Sequence, residues 1–135
     1  MTTRTYTGSC HCGAVRFEAD IDLDAGTGKC NCSICGKTRN WSATIKPEAF
    51  RLVGDLAATT DYQFGSGSVH WPFCSTCGVR TYNTGDIPEI GGRFVSVRLN
   101  CLDGVDEAML AALAVRCANG RDNDWWHAPA VSSHL

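Results

Sequence analysis

Apolar and polar residues alternate in short runs along most of the chain. The pattern predicts strands at RTYTGS (4–9), AVRFEA (14–19), SATIK (42–46), FRLVG (50–54), TDYQFG (60–65), VHWPF (69–73), VRTYN (79–83) and FVSVRL (94–99). A period of two sends successive side chains to opposite faces of a strand, so such runs suit half-buried sheets. In the last run, Phe94, Val95, Val97 and Leu99 leave Ser96 and Arg98 together on one polar face. Turn residues punctuate the runs at GSGS (65–68), TGDIP (84–88) and IGG (90–92). A helical stripe occurs once, at about 105–116, through Val105, Met109, Leu110, Leu113 and Val115. Asp106 and Glu107 stand at its N-terminal end, where negative charge complements the helix dipole. Strands at this spacing without alternating helices indicate an all-β fold with one short helix near the C-terminal end.

A length of 135 residues is that of one domain, 1–135, with enough chain for a real core. Apolar content of 44% and charged content of 19% belong to an ordinary globular protein. A formal charge of −2 gives no reason to expect nucleic acid or an anionic membrane as partner. The longest apolar run, AMLAALAV (108–115), is too short to span a bilayer. MTTRTYTGSC lacks the apolar stretch of a signal peptide, so the expected location is cytoplasmic.

Nine cysteines change the picture. A reducing compartment disfavours disulfides, and an odd number cannot be fully paired within the chain. Metal binding explains the number better. Seven of the nine fall in three groups: CHCG (10–13), CNCSICG (30–36) and CSTCG (74–78). Each group ends in Cys-Gly, as a metal-enclosing turn requires when it needs positive φ after its last cysteine. Zinc–sulfur bonds of roughly 2.3 Å set tetrahedral sulfurs about 3.8 Å apart. In an extended strand, positions i and i+2 share a face, so C-x-C can converge on one ion, and C-x-x-C can do so through a turn. Seven thiolates with two Zn²⁺ would move the formal charge from −2 to about −5.

Two partitions satisfy the spacing. In one, Cys10, Cys12, Cys74 and Cys77 close a four-sulfur site, and Cys30, Cys32 and Cys35 hold a second ion with an open position. In the other, the three-cysteine run recruits a distant ligand and both sites are closed. A closed site is structural; a three-ligand site admits water or substrate. Cys101 and Cys117 stand alone and fit the bland role of small buried hydrophobes. An iron–sulfur cluster using a remote fourth cysteine such as Cys101 ranks below zinc.

GSCHCGAVRFEA, CNCSICGK, YQFGSGSVHWPFCSTCG and VRLNCLDG, in that order, resemble the glutathione-dependent formaldehyde-activating enzyme family, which includes centromere protein V. The resemblance runs from about Gly8 to Asp103. It implies small packed antiparallel sheets stapled by zinc, with two ions per chain. It implies a structural zinc on Cys10, Cys12, Cys74 and Cys77, and a catalytic zinc on Cys30, Cys32 and Cys35. The implied activity is that of a carbon–sulfur lyase, S-(hydroxymethyl)glutathione synthase, joining a small thiol such as glutathione to a small aldehyde, formaldehyde. In the family the three-cysteine motif most often begins Cys-His-Cys; here Asn31 replaces the His.

Other residues have weaker claims. Lys37 and Arg39 follow the cluster and could meet an anionic substrate, though solvated surface charge is the blander role. His11, between two ligands, points away from the metal if that piece is extended. His70 is a candidate general acid or base, or a strand histidine. Trp41, Trp71, Trp125 and Trp126 are pocket walls or core, and WWHAP (125–129), if exposed, is a candidate homodimer contact. The competing function is a non-catalytic zinc module with both metals structural.

Overall fold

The computed structural model describes residues 2–135. Its strands form three sheets. β1 (Arg4–Ser9), β2 (Arg16–Ile21) and β5 (Phe50–Val53) make an antiparallel sheet in the order β1-β2-β5. The largest sheet contains β3 (Thr27–Cys30), β4 (Trp41–Ile45), β7 (Val69–His70), β9 (Tyr82–Ile87), β10 (Gly92–Arg98) and β11 (Val115–Ala118). Its order is β11-β3-β4-β10-β9-β7, antiparallel except for β11 beside β3. β6 (Thr59–Thr60) and β8 (Phe73–Cys74) pair separately.

Period-two patterning places the core. Along β2, Phe17, Ala19 and Ile21 are buried on one face. They meet Ala43 of β4, Tyr82 of β9, and Val95 and Val97 of β10 in one apolar cluster. Phe50 links the two larger sheets, with ring centroids 5.4 Å from Phe17 and 4.7 Å from Tyr82. Each large apolar side chain removed from water contributes roughly 1.5–3 kcal/mol, so this cluster is the main source of cohesion.

The elements differ from expectation in several places. VHWPF splits into β7 and β8, which belong to different sheets, and only Tyr82 and Asn83 of VRTYN are strand. Ser96 and Arg98 are buried rather than solvated, because β10 is central in its sheet and covered on both faces. The helix expected over 105–116 is α2 (Glu107–Ala111), capped by Asp106, whose side chain accepts from the Met109 amide. Its sequel turns to strand: Val115–Ala118 runs parallel to β3, and backbone pairing there displaces the last helical turn. TDYQFG contributes only Thr60 to a strand; Tyr62 and Phe64 instead stack at 5.7 Å, and Phe64 lies 6.3 Å from Trp71. A further helix, α1 (Ser33–Thr38), lies within the three-cysteine run. No helix among the described residues is long and apolar enough to cross a membrane.

Candidate metal centres

Two groups of sulfurs assemble from separate parts of the chain. The Sγ atoms of Cys10, Cys12, Cys74 and Cys77 lie within 4.8 Å of one another, as do those of Cys30, Cys32 and Cys35. Cys101 and Cys117 join neither group.

The first group is made by two similar knuckles. One is the β1–β2 connection; the other follows β8. The Cys10 amide donates to the Val15 carbonyl at 3.0 Å, and the Cys74 amide donates to the Val79 carbonyl at 3.0 Å. Gly13 and Gly78 follow the last cysteines with φ of 84° and 77°, a left-handed conformation that glycine adopts without strain. Cys10 and Cys12 therefore converge through a turn, not as neighbours on a strand face. Amides point at sulfur: Val15 donates to Cys10 Sγ at 3.3 Å, and Thr76 and Cys77 each donate to Cys74 Sγ at 3.4 Å. Such donors stabilise thiolate. The Cys77 thiol is lowered to about 6, chiefly by the Val79 amide.

The second group is local. Cys30 ends β3, Cys32 is the residue before α1, and Cys35 lies in the first turn of the helix. The Cys32 amide donates to Cys30 Sγ at 3.3 Å, and Asn40 Nδ2 donates to Cys35 Sγ at 3.4 Å. Hydrogen bonds from Cys30 and then Cys35 lower the Cys32 thiol to about 2. The same sharing, with Cys30 first and Cys32 next, pushes Cys35 strongly upward. The third Cys-Gly pair breaks the expected pattern. Gly36 sits inside α1 without positive φ, and Arg39 takes the left-handed position instead, at φ 50°, returning its amide to the Cys35 carbonyl.

The donor sets suit zinc. Seven soft thiol sulfurs divide into a set of four and a set of three. Cys10 and Cys12 Sγ are 3.7 Å apart, and Cys12 and Cys74 Sγ are 3.6 Å apart, close to the roughly 3.8 Å edge of a zinc–sulfur tetrahedron. Each group can hold one metal ion. Among the described residues, no His, Asp, Glu or further Cys brings a ligand atom into the group of three.

The surroundings of that group were not evident from the sequence. Asn31 is 8% exposed. Its Nδ2 donates to Asn119 Oδ1 at 3.0 Å, and its Oδ1 accepts from the Arg121 amide at 2.9 Å. These bonds fasten the cysteine loop to the segment after β11. Gly120 then passes so close that a Cβ there would stand 2.6 Å from both Cys30 Sγ and the Trp125 ring. Asn40, Asn119 and Gly120 carried no motif that pointed to the site; only the replacement at Asn31 did.

The remaining candidates are dispersed. The Cys101 thiol donates to the Arg80 carbonyl at 3.5 Å, and burial pushes it up to about 11. His70 pairs through Nδ1 with Asp61 at 2.6 Å, in a partnership that contains no cysteine. His11 and Lys37 are exposed. Trp71 is buried at 7% exposure, whereas Trp126 is 67% exposed. Trp41 is half-buried, and its Nε1 donates to Thr27 Oγ1 at 2.8 Å.

Residues 5–119 match the family described as glutathione-dependent formaldehyde-activating enzyme. A protein of Halomonas elongata named as a putative glutathione-dependent formaldehyde-activating enzyme is 37% identical over 78 residues. That match covers 52% of this chain and 50% of the relative, so the chain spans about half the length of the relative it matches. The crystal structure of a Rhodobacter sphaeroides protein superposes with a TM-score of 0.70 at 30% identity. It covers 82% of this chain and 99% of the other.

Proposed function

The chain belongs to the glutathione-dependent formaldehyde-activating enzyme family, and from that premise we propose that it is a zinc-dependent carbon–sulfur lyase acting on thiol–aldehyde adducts. The reading gives the two sulfur groups different tasks. Cys10, Cys12, Cys74 and Cys77 hold a structural zinc that ties the β1–β2 connection to the turn after β8. Cys30, Cys32 and Cys35 hold a second zinc and are the catalytic set. The observation that carries the reading is that this second group offers three thiols and, among the described residues, no further Cys and no His, Asp or Glu whose ligand atom lies within 4.8 Å of all three.

A zinc held there would supply a Lewis acid and a cation that favours the thiolate form of a substrate. The chain's own residues prepare the place. The Cys32 amide and Asn40 Nδ2 disperse charge on Cys30 and Cys35. The Gly120 backbone backs closely onto Cys30 Sγ, with the Trp125 ring beside it. The substrates in this reading are a small thiol, with glutathione the first to test, and formaldehyde or another small aldehyde. Addition forms one carbon–sulfur bond, with the thiol proton passing to the carbonyl oxygen; the lyase direction reverses both.

Exchange NMR of glutathione, formaldehyde and their adduct tests the assignment. Zinc-loaded protein is expected to accelerate exchange above the uncatalysed rate, and Cys32→Ser protein is expected not to. Unaccelerated exchange from protein carrying both metals would favour a non-catalytic zinc module.

A further inference from the structure

Arg98 is a buried cation with no acid beside it. It is 6% exposed, on the central strand β10. Its Nη1 donates to Asn83 Oδ1 at 2.7 Å, and its guanidinium lies 5.9 Å from the Trp71 ring centroid. Both partners are neutral. Among the described residues no carboxylate reaches ion-pair distance of it, and its buried Nη2 makes no hydrogen bond. Burial lowers Arg98 to about 10, with Cys35 and Cys101 opposing the fall, so it remains cationic at neutral pH. A buried charge is costly unless an opposite charge compensates it.

Cys101 does not supply that charge. Burial pushes its thiol up to about 11, and the thiol donates to the Arg80 carbonyl at 3.5 Å. Cys35 remains, and two features of the fold bring it towards Arg98. Arg98 pairs in register with Ser42 of β4, two residues beyond Asn40, whose Nδ2 donates to Cys35 Sγ. Thr38 lies three positions after Cys35 on the same side of α1, and it lines one cavity of about 350 Å³ together with Arg98. Arg39 and Arg80 face the same cavity, and no Asp or Glu does. Arg39 is exposed, so water screens it; Arg98 is not.

We propose that Arg98 is a positioning residue, the buried counter-charge of the three-cysteine metal centre, which lowers the cost of a fourth, anionic ligand there. The inference rests on the open-zinc reading of that group and adds to it the residue that balances its charge. Three thiolates around Zn²⁺ leave a net charge of about −1, and a fourth thiolate makes it about −2. Away from water, the second negative charge needs a fixed cation nearby. Arginine suits the task because it does not give up its proton. Asn83 suits it as well. An aspartate there would pair with Arg98 Nη1 and cancel its field, whereas the neutral amide holds the guanidinium and leaves its charge to act further off.

The test is a pH titration of cobalt-loaded protein with 2-mercaptoethanol, which carries no charge except on its thiol. Wild-type protein should gain a thiolate-to-cobalt absorption band, with a midpoint where the added thiol binds as thiolate. Asn83→Asp keeps the hydrogen bond to Arg98 and neutralises the cation in place. The bound thiol then holds its proton more tightly, so the midpoint should rise by about one unit, the lower end of the effect of one nearby charge. Arg98→Met should raise it likewise, and Arg98→Lys, which keeps the charge, should lie nearer to wild type. An unchanged midpoint in Asn83→Asp that is folded by circular dichroism overturns the proposal and leaves the open-zinc reading standing. Should that variant not fold, equal midpoints for Arg98→Met and Arg98→Lys overturn it. A wild-type protein that gains no band from the added thiol removes the open-zinc reading and the proposal together.

Discussion

Asn31 Nδ2 donates to Asn119 Oδ1 across 88 positions of sequence at 3.0 Å. With the Arg121 amide bonded to Asn31 Oδ1, the residue inside the three-cysteine loop is also the clasp of the segment that covers it. Asn31→Ala removes both bonds and leaves an amide and a side-chain oxygen without partners. Partly buried hydrogen bonds of this kind contribute about 1–3 kcal/mol together. Calorimetry should show a lowered Tm, and metal analysis should show weaker retention of one ion per chain, with the other unaffected. Unchanged retention of both ions would mean that the clasp does not shape the site.

Cys74→Ser should have a different outcome. Cys74 is 1% exposed and packs with Cys10 and Val15 in a small cluster separate from the main core. On the proposed reading, a metal ion there joins chain segments more than 60 positions apart. Structural zinc contributes roughly 10 kcal/mol or more to folding in small zinc peptides. That exceeds the usual net stability of a domain, 5–15 kcal/mol, or consumes most of it. The variant should be insoluble or unfolded by circular dichroism; a soluble protein with wild-type Tm would remove the structural role.

Much of the fold was legible, and what escaped did so for physical reasons. RTYTGS became β1 residue for residue because one face alternates cleanly against β2. β3, with the sequence TGKC, has no apolar run; it is a strand because its backbone pairs with β4 on one side and β11 on the other. α1 is six residues long and contains Gly36, too short and too weak in propensity for a periodic signal. In β10, alternation marked Ser96 and Arg98 as polar but could not reveal that other chain segments cover them: Ser96 Oγ meets Thr44 Oγ at 3.1 Å and Arg98 meets Asn83. The cysteine groups were readable because chelate spacing within each C-x-C and C-x-x-C piece is local, and four and three was the simplest division of seven sulfurs. Gly120 was not, since its role depends on a return of the chain to Cys30 from 90 positions away.

That return makes Gly120 a sensitive position. A Cβ would stand 2.6 Å from Cys30 Sγ and from the Trp125 ring, closer than real contacts allow. Gly120→Ala must therefore push the segment outward or displace the sulfur. The main core, formed by β2, β4, β9 and β10, does not involve Gly120. The variant should remain folded by circular dichroism, while cobalt substituted at the three-cysteine group shows an altered thiolate-to-metal absorption band. A spectrum identical to wild type would show that the segment yields without touching the site.

Cys32→Ser separates the two sulfur groups most directly. Cys32 lies in neither apolar cluster of the protein, and its loss leaves the four sulfurs of the other group intact. The fold should therefore survive, with a Tm near that of wild-type protein. The remaining pair, Cys30 and Cys35, would have to hold an ion with a serine hydroxyl in place of the third thiolate. A hydroxyl does not deprotonate at neutral pH as a zinc-bound thiol does, so affinity should fall by orders of magnitude. Wild-type protein is expected to contain two zinc ions per chain and Cys32→Ser one, by metal analysis after gel filtration. Adduct exchange should be lost with that ion and should not return on adding moderate excess zinc. Two ions in the variant would mean that another side chain closes the site, and the catalytic reading would fail. One ion with full activity would move the chemistry away from Cys30, Cys32 and Cys35 altogether.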